Sequence, residues 1–204
     1  MSLFMNKYRN ESIRLKGWDY SSPGAYFVTI CVKERMNILS KVINGEVILS
    51  EIGKIVDVTW NEIPSHFENV KLDYYVIMPD HIHGIIIILE NDNVVVNGVD
   101  DIFDGRNAIN RVPTIENTEN GYKNGGITGI HNPMLTKNSL SKIVRWFKGR
   151  CTYEIRRSNL CYFQWQSRFY DHIIRNGEEL KEIRKYILDN PKNLFKEEVK
   201  FLYE

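Results

Sequence analysis

YYVIMPDHIHGIIIIL, residues 74–89, is the stretch of sequence that decides the fold. It contains an apolar run, a turn at Pro79 and a second run that is almost wholly aliphatic. This pattern predicts a β-hairpin whose two strands are buried. Side chains two positions apart in a strand point to the same face, so His81 and His83 are predicted to lie side by side while Ile82 packs in the core. The spacing therefore predicts a pair of imidazoles that could share one divalent ion.

The composition is that of an ordinary globular protein. The chain has 204 residues, 43% of them hydrophobic and 26% charged, which argues against disorder and against a membrane class. We expect one domain over residues 1–204, with a long insertion at about 91–137 that is rich in Asn and Gly and lacks periodicity. Residues 1–16 lack the apolar core of a signal peptide, and the longest aliphatic run is too short to cross a bilayer. A cytoplasmic location is expected, with three reduced cysteines that show no paired spacing: Cys31, Cys151 and Cys161.

Strand and helix patterns alternate along the chain. We predict a central strand at 25–32, a peripheral hairpin at 42–49 with an Asn-Gly turn, a helix at 51–63 capped by Ser50, and a helix at 139–158. A strand with aromatic content follows within 162–175, and a final helix runs from about Glu178 to Asn190, where Pro191 closes it. This order favours an α+β sandwich, in which one mostly antiparallel sheet carries helices on one face.

Positive charge is concentrated in residues 138–175, where eight Lys or Arg accompany two acidic residues. The helix predicted there has an apolar face and a cationic face. Many solvated helices share this pattern, so the cationic face is equally compatible with solubility alone.

A site with two histidines needs at least one further ligand, and the final helix can supply it. Tyr186 and Asn190 are four residues apart and therefore lie on the same face of that helix. An Asn oxygen suits Mg²⁺ or Mn²⁺, whereas imidazole is also compatible with Zn²⁺ or Ni²⁺. Two residues of the preceding strand compete for these roles, Tyr170 as a nucleophile and His172 as a third ligand.

Four segments together resemble a known family. MPDHIHG (78–84) resembles the histidine-hydrophobe-histidine (HUH) motif of the single-tyrosine transposases of insertion sequences. GAYFVTI (24–30), WQSRFYDHIIRN (165–176) and YILDNP (186–191) are similar to the other signatures of the REP-associated tyrosine transposase branch. The resemblance spans about residues 12–195, and the four segments occur in the same order.

The resemblance implies a ferredoxin-like catalytic domain that cuts and rejoins single-stranded DNA. By that likeness His81 and His83 match the metal ligands, Asn190 matches the helix residue that completes the metal site, and Tyr186 matches the nucleophile. The implied cofactor is a divalent metal, Mg²⁺ or Mn²⁺, and the implied intermediate is a 5′-phosphotyrosine. The stretch 91–137 departs from the compact family pattern because it is longer than a link between hairpin and helix requires.

The expected partner is single-stranded or hairpin DNA. Cations would neutralise its backbone, and the aromatic segment 162–170 would stack on bases. The candidate DNA-binding residues are Lys142, Arg145, Arg168 and Arg175. The sequence leaves open whether two copies of the chain form a homodimer through their sheets.

Three other functions compete with this interpretation. The first is an HUH endonuclease of plasmid transfer or replication initiation, but such proteins usually carry further domains, for which 204 residues leave no room. The second is a domesticated, non-catalytic protein that binds single-stranded or hairpin DNA. The third is a small metal-dependent hydrolase, in which water replaces the tyrosine and no covalent adduct forms.

Overall fold

The computed structural model of the protein describes residues 18–90, 138–160 and 162–195, the helical backbone of 196–203, Leu15 and two short strands near the N-terminus. Those strands, β1 (Leu3–Phe4) and β2 (Lys7–Tyr8), pair with each other in antiparallel orientation. The insertion predicted at about 91–137 and Cys161 lie outside the described residues.

A four-stranded sheet forms the centre of the fold. Its strands are β3 (Gly24–Cys31), β6 (Val70–Ile77), β7 (His81–Ile88) and β8 (Tyr170–Ile174). They lie in the spatial order β6-β7-β3-β8, and every neighbouring pair is antiparallel. Helices connect them at two places, α1 (Glu51–Asn61) with the short α2 (Ile63–His66) after β3, and α3 (Leu140–Arg157) before β8. Strand, helix, strand, strand, helix, strand is the ferredoxin-like order, so the predicted α+β fold class is confirmed.

Helices α1 and α3 cover one face of the sheet. Each begins at a serine whose side chain accepts a backbone hydrogen bond, Ser50 from Gly53 and Ser139 from Lys142. Their apolar stripes pack on the alternate strand residues that point to this face, such as Tyr26. Full burial of one large side chain in such a core contributes about 1.5–3 kcal/mol to stability.

The last helix, α4 (Gly177–Tyr203), lies on the opposite face, which corrects the prediction that the helices share one face. Leu180 and Ile187 of α4 pack against Phe27 and Ile87 of the sheet. The reason is that the alternate positions of β3 and β7 are apolar on both faces, so each face needs a cover.

Helix α4 also continues through Pro191, where the sequence predicts its end. A proline inside a helix removes one backbone hydrogen bond and crowds the preceding turn. Tertiary packing offsets this cost, because Pro191 is buried and the hairpin of β4 (Ser40–Ile43) and β5 (Glu46–Leu49) contacts this helix. At the hairpin turn, a Cβ on Gly45 would stand 3.2 Å from Cγ of Lys192. The hairpin is a separate two-stranded sheet outside the central one, as the predicted peripheral position implies, and it also supports α4.

The segment between α3 and β8 contains one isolated bridge, Trp165 with Val32, in place of a longer strand. No helix in the described ranges has both the length and the apolarity that a membrane crossing requires.

Candidate functional site

His81 and His83 stand side by side at the start of β7, on the sheet face that α4 covers. The register places them opposite Cys31 and Thr29 of β3. Their neighbour Ile82 is fully buried in the core on the other face. The predicted alternation of the two imidazoles and the isoleucine is therefore present.

The back of each imidazole is held by another side chain. Nδ1 of His81 donates to the Asp80 carboxylate at 2.5 Å, and the other oxygen of Asp80 forms an ion pair with Nε of Arg35 at 3.2 Å. Nδ1 of His83 is 2.8 Å from the Thr29 hydroxyl. Because both Nδ1 atoms are engaged, the two Nε2 atoms turn toward each other and lie 2.9 Å apart. A partner on Nδ1 is the common way in which a protein orients a metal-binding histidine.

The electrostatics of this pair favour an uncharged His83. Burial, followed by the neighbouring charges of His81 and Arg35, lowers the pKa of His83 from 6.5 to about 3. The ring is thus neutral at ordinary pH, which is the form of imidazole that binds metal ions.

Tyr186 of α4 points its hydroxyl at the same place. Its oxygen is 3.3 Å from Nε2 of His83, and the two rings meet edge to face with centroids 5.3 Å apart. Phe27 lies beneath them, since it stacks on His83 and contacts Tyr186 edge to face. Asn190, one helical turn after Tyr186, lines the same cavity. The structure therefore brings together the histidine pair, the tyrosine and the asparagine that the sequence singled out.

Two groups of contacts fix α4 in this position. At its start, the Asn176 side chain accepts from the N–H of Glu179, and the Glu179 carboxylate accepts from the N–H of Arg175. One turn later, Nε of Arg184 donates to Asp73 of β6 at 2.9 Å. The Asp73 side chain is only 6% exposed, so this ion pair ties the helix to the sheet two residues before Tyr186.

The cavity around these side chains has a volume of about 540 Å³. Arg35 and Asn37 from the segment after β3 line it, as does Asn193 of α4. No sequence pattern points to these residues or to Thr29. Asn193 follows Asn190 by three residues and would have been found by helical periodicity if Pro191 had not been taken as the helix end. Nothing in the sequence pairs Thr29 or Arg35 with the histidines, because that proximity arises from the register between strands.

The donor set fits a divalent metal ion. Metal–ligand bonds of about 2.1 Å allow two nitrogens at this separation to reach the same ion. In the part of the chain that the structure describes, three or more His, Cys, Asp or Glu side chains do not come together around one point. A third protein ligand would therefore be the amide oxygen of Asn190, which suits a hard ion such as Mg²⁺ or Mn²⁺.

The two competing residues lie elsewhere on the same sheet face. Tyr170 pairs with Thr29 in the register and contacts Phe27, with ring centroids 6.4 Å apart. His172 bonds to Glu179 through Nε2 at 2.6 Å. Neither residue lines the cavity that holds the histidine pair.

The four candidate DNA-binding residues do not gather at this cavity. Lys142 and Arg145 belong to α3, which packs on the opposite face of the sheet. Arg168 and Arg175 flank β8, one before it and one after it. Their predicted role is therefore separate from the chemistry at the histidines.

Comparison with other proteins identifies a relative in Haemophilus influenzae. A protein of that bacterium, described as uncharacterized, is 33% identical over 184 residues, which is 90% of this chain and 89% of the relative. The two proteins belong to one family. No family model matches the chain.

Two solved structures are similar at lower levels. One is a REP-associated tyrosine transposase bound to a REP hairpin, with 17% identity and a TM-score of 0.49, and the match covers 92% of this chain and 73% of that chain. The other is a Deinococcus radiodurans protein proposed to be a transposase, with 13% identity, a TM-score of 0.40 and coverage of 89% and 94%. At these TM-scores the similarity carries no argument about function.

Proposed function

We propose that this protein is a DNA strand-transferase of the single-tyrosine HUH type, a transposase that cleaves and rejoins single-stranded DNA. The observation that carries the proposal is the position of the Tyr186 hydroxyl, 3.3 Å from Nε2 of His83 and beside the facing Nε2 of His81. The four family-like segments support the same assignment, because three of them supply β3, the histidine strand and the tyrosine helix of this site.

A divalent ion, Mg²⁺ or Mn²⁺, bound by His81, His83 and Asn190 would act as a Lewis acid on an oxygen of the scissile phosphate. The chain supplies the remaining requirements. Asp80 and Thr29 hold the imidazoles so that both Nε2 atoms face the cavity.

Tyr186 is the proposed nucleophile. Its phenolic oxygen forms a bond to phosphorus while the bond from phosphorus to the 3′ oxygen breaks. The phenol loses its proton and the departing oxygen gains one, so the products are a 5′-phosphotyrosine and a 3′-hydroxyl. Since the phosphotyrosine keeps the energy of the phosphodiester, a second 3′-hydroxyl can reverse the step and join strands without ATP.

The proposed substrate is single-stranded DNA, including the single-stranded flanks of hairpins. The test incubates the full chain with labelled hairpin oligonucleotides and Mg²⁺ or Mn²⁺, then looks for a covalent protein–DNA adduct in a denaturing gel. Tyr186→Phe should abolish the adduct, because it removes the attacking oxygen and leaves the ring in place.

Tyr170→Phe is the matched control, because it removes a phenol oxygen on the same sheet face but outside the cavity. It should leave the adduct unchanged. If Tyr170→Phe abolished the adduct and Tyr186→Phe preserved it, the assignment of Tyr186 as the nucleophile would be wrong. Tight DNA binding without any adduct would favour the non-catalytic binding protein, and cleavage without an adduct would favour the hydrolase.

A further inference from the structure

A second cavity, about 720 Å³ in volume, opens between α3 and the segment that follows it. Residues 148–157 of α3 form one wall and residues 164–167 form the other, and we call this cavity the α3 groove. Gly149 has no side chain, and the space beside it is open, since a Cβ at this position would meet no atom within 4 Å. No side chain therefore narrows the groove at this position.

The charge of the α3 groove is positive. Among the described residues, its lining includes the cations Lys148, Arg156 and Arg157 and no carboxylate; Arg157 pairs with Glu154 of the same helix at 3.8 Å. Lys148 donates to the carbonyls of Gln166 and Arg168 at 2.8 and 3.0 Å, so its charge is fixed between the two walls. Arg156 is exposed, and its side chain has no hydrogen bond or ion pair to the described part of the chain. The groove thus offers one fixed cation and at least one that can move to an anion.

The groove also presents groups that suit bases. Tyr153 lies in the lining and is 58% exposed, so its ring is accessible to a stacking partner. Gln164 and Gln166 place amide side chains in the opposite wall. Aromatic rings beside a cationic track are the usual features of a surface that binds single-stranded nucleic acid.

Backbone hydrogen bonds connect the α3 groove to the histidine cavity. The N–H of Lys33 donates to Gln164 at 2.9 Å, and the N–H of Gln166 donates to Cys31 at 2.9 Å. Within the same short segment, the N–H of Val32 donates to Asp80 at 2.8 Å. Residues 31–33 therefore bond to lining residues of both cavities.

We infer that the α3 groove binds the unpaired DNA strand that leads to the histidine site, with Arg156 on its phosphates and Tyr153 stacked on a base. The inference rests on the proposed function and extends it, because it names where the single-stranded flank of the substrate lies. The positive lining and the adjacency of the two cavities are the observations that carry it.

The first test measures binding of a fluorescent single-stranded oligonucleotide by anisotropy at several salt concentrations, with Tyr186→Phe in every protein so that the strand stays intact. Arg156→Ala should reduce the slope of log affinity against log salt by about 0.7, the value for one phosphate contact on a single strand. Arg156→Lys should restore the slope. Lys181→Ala, which removes an exposed cation on α4, is the control and should leave it unchanged.

An unchanged slope in Arg156→Ala, or an equal decrease in Lys181→Ala, would overturn the inference. The second test replaces Tyr153. Tyr153→Ala should weaken binding about tenfold through the loss of one stacked base, and Tyr153→Phe should retain it. Equal losses for a fully paired duplex would overturn the assignment to an unpaired strand.

The outcomes also separate this inference from the proposed function. If the wild-type protein forms the DNA adduct and Arg156→Ala has no effect on binding, only the inference about the α3 groove is refuted. If the wild-type protein forms no adduct but Arg156→Ala reduces the salt dependence of binding, the cleavage reaction is refuted. The α3 groove then remains supported as a binding surface.

Discussion

Asp80 holds one ring of the histidine pair through its Nδ1 atom. Its carboxylate accepts from Nδ1 of His81 and forms an ion pair with Arg35, so it positions both a ring and a cation at the edge of the cavity. A carboxylate can only accept a hydrogen bond, so Nδ1 of His81 is the donor and Nε2 is the nitrogen that faces His83. The orientation of the His81 ring therefore depends on Asp80, the residue directly before it in the sequence.

We predict that Asp80→Asn weakens binding of Mn²⁺ by about tenfold, because the amide is a poorer partner for the imidazole than the carboxylate. Isothermal titration calorimetry with the purified protein measures the change. Asp57→Asn is a matched control, since Asp57 bonds to Tyr75 and not to either histidine. Equal affinity in the wild type and Asp80→Asn would contradict the role assigned to this carboxylate.

Among the elements, β7 illustrates how closely the core and the site are joined. Gly84 follows His83 directly, and a Cβ on it would stand 2.4 Å from Cζ2 of the fully buried Trp60. The strand passes so close to α1 that only glycine fits at this position. Packing against α1 on one face of β7 thus restricts position 84 to glycine, directly beside the histidines that point to the other face.

Two glycine substitutions should therefore have opposite effects on stability. Gly84→Ala should lower the free energy of unfolding by about 1–3 kcal/mol, because the new methyl group displaces Trp60. Gly149→Ala, in an open position of α3, should raise it by about 0.5–1 kcal/mol through the better helix propensity of alanine. Urea denaturation measures both changes. A tolerated Gly84→Ala would mean that β7 and α1 separate more easily than the packing indicates.

The elements that the sequence predicted well are those whose signals are local. Runs of aliphatic, β-branched and aromatic residues identify β3 and β7, the Asn-Gly pair identifies the β4–β5 turn, and serine caps identify the starts of α1 and α3. The course of α4 was predicted less well, because its length depends on contacts of Pro191 and Lys192 with a distant hairpin. Likewise, the pairing of Thr29 with His83 depends on strand register, which no local pattern contains.

In the molecule as a whole, the sheet is enclosed between α1 and α3 on one side and α4 on the other. Tyr26 connects the N-terminal part of the described chain to this arrangement. Its hydroxyl donates to the carbonyl of Ser22 at 2.8 Å and accepts from Nε1 of Trp18 at 3.2 Å. Burial raises the pKa of Tyr26 from 10 to about 12, so the folded protein keeps this phenol protonated after the unfolded chain has lost its proton.

This difference predicts a loss of stability in alkali. The folded state binds more protons than the unfolded state between pH 10 and about 12, so the free energy of unfolding falls as the pH rises through that interval. The loss attributable to Tyr26 approaches roughly 2–3 kcal/mol. Denaturation at a series of pH values should show a shallower decline in Tyr26→Phe, although that variant is less stable at neutral pH. An identical decline in both proteins would contradict the assignment.

The placement of Tyr186 and Asn190 one turn apart on α4 has a consequence for control of the site. Both side chains belong to the same helix, which the Asp73–Arg184 ion pair connects to the sheet. A tilt of α4 would move the phenol and the amide away from the histidines together. A single displacement of the helix would therefore remove both the proposed nucleophile and the proposed third metal ligand from the cavity.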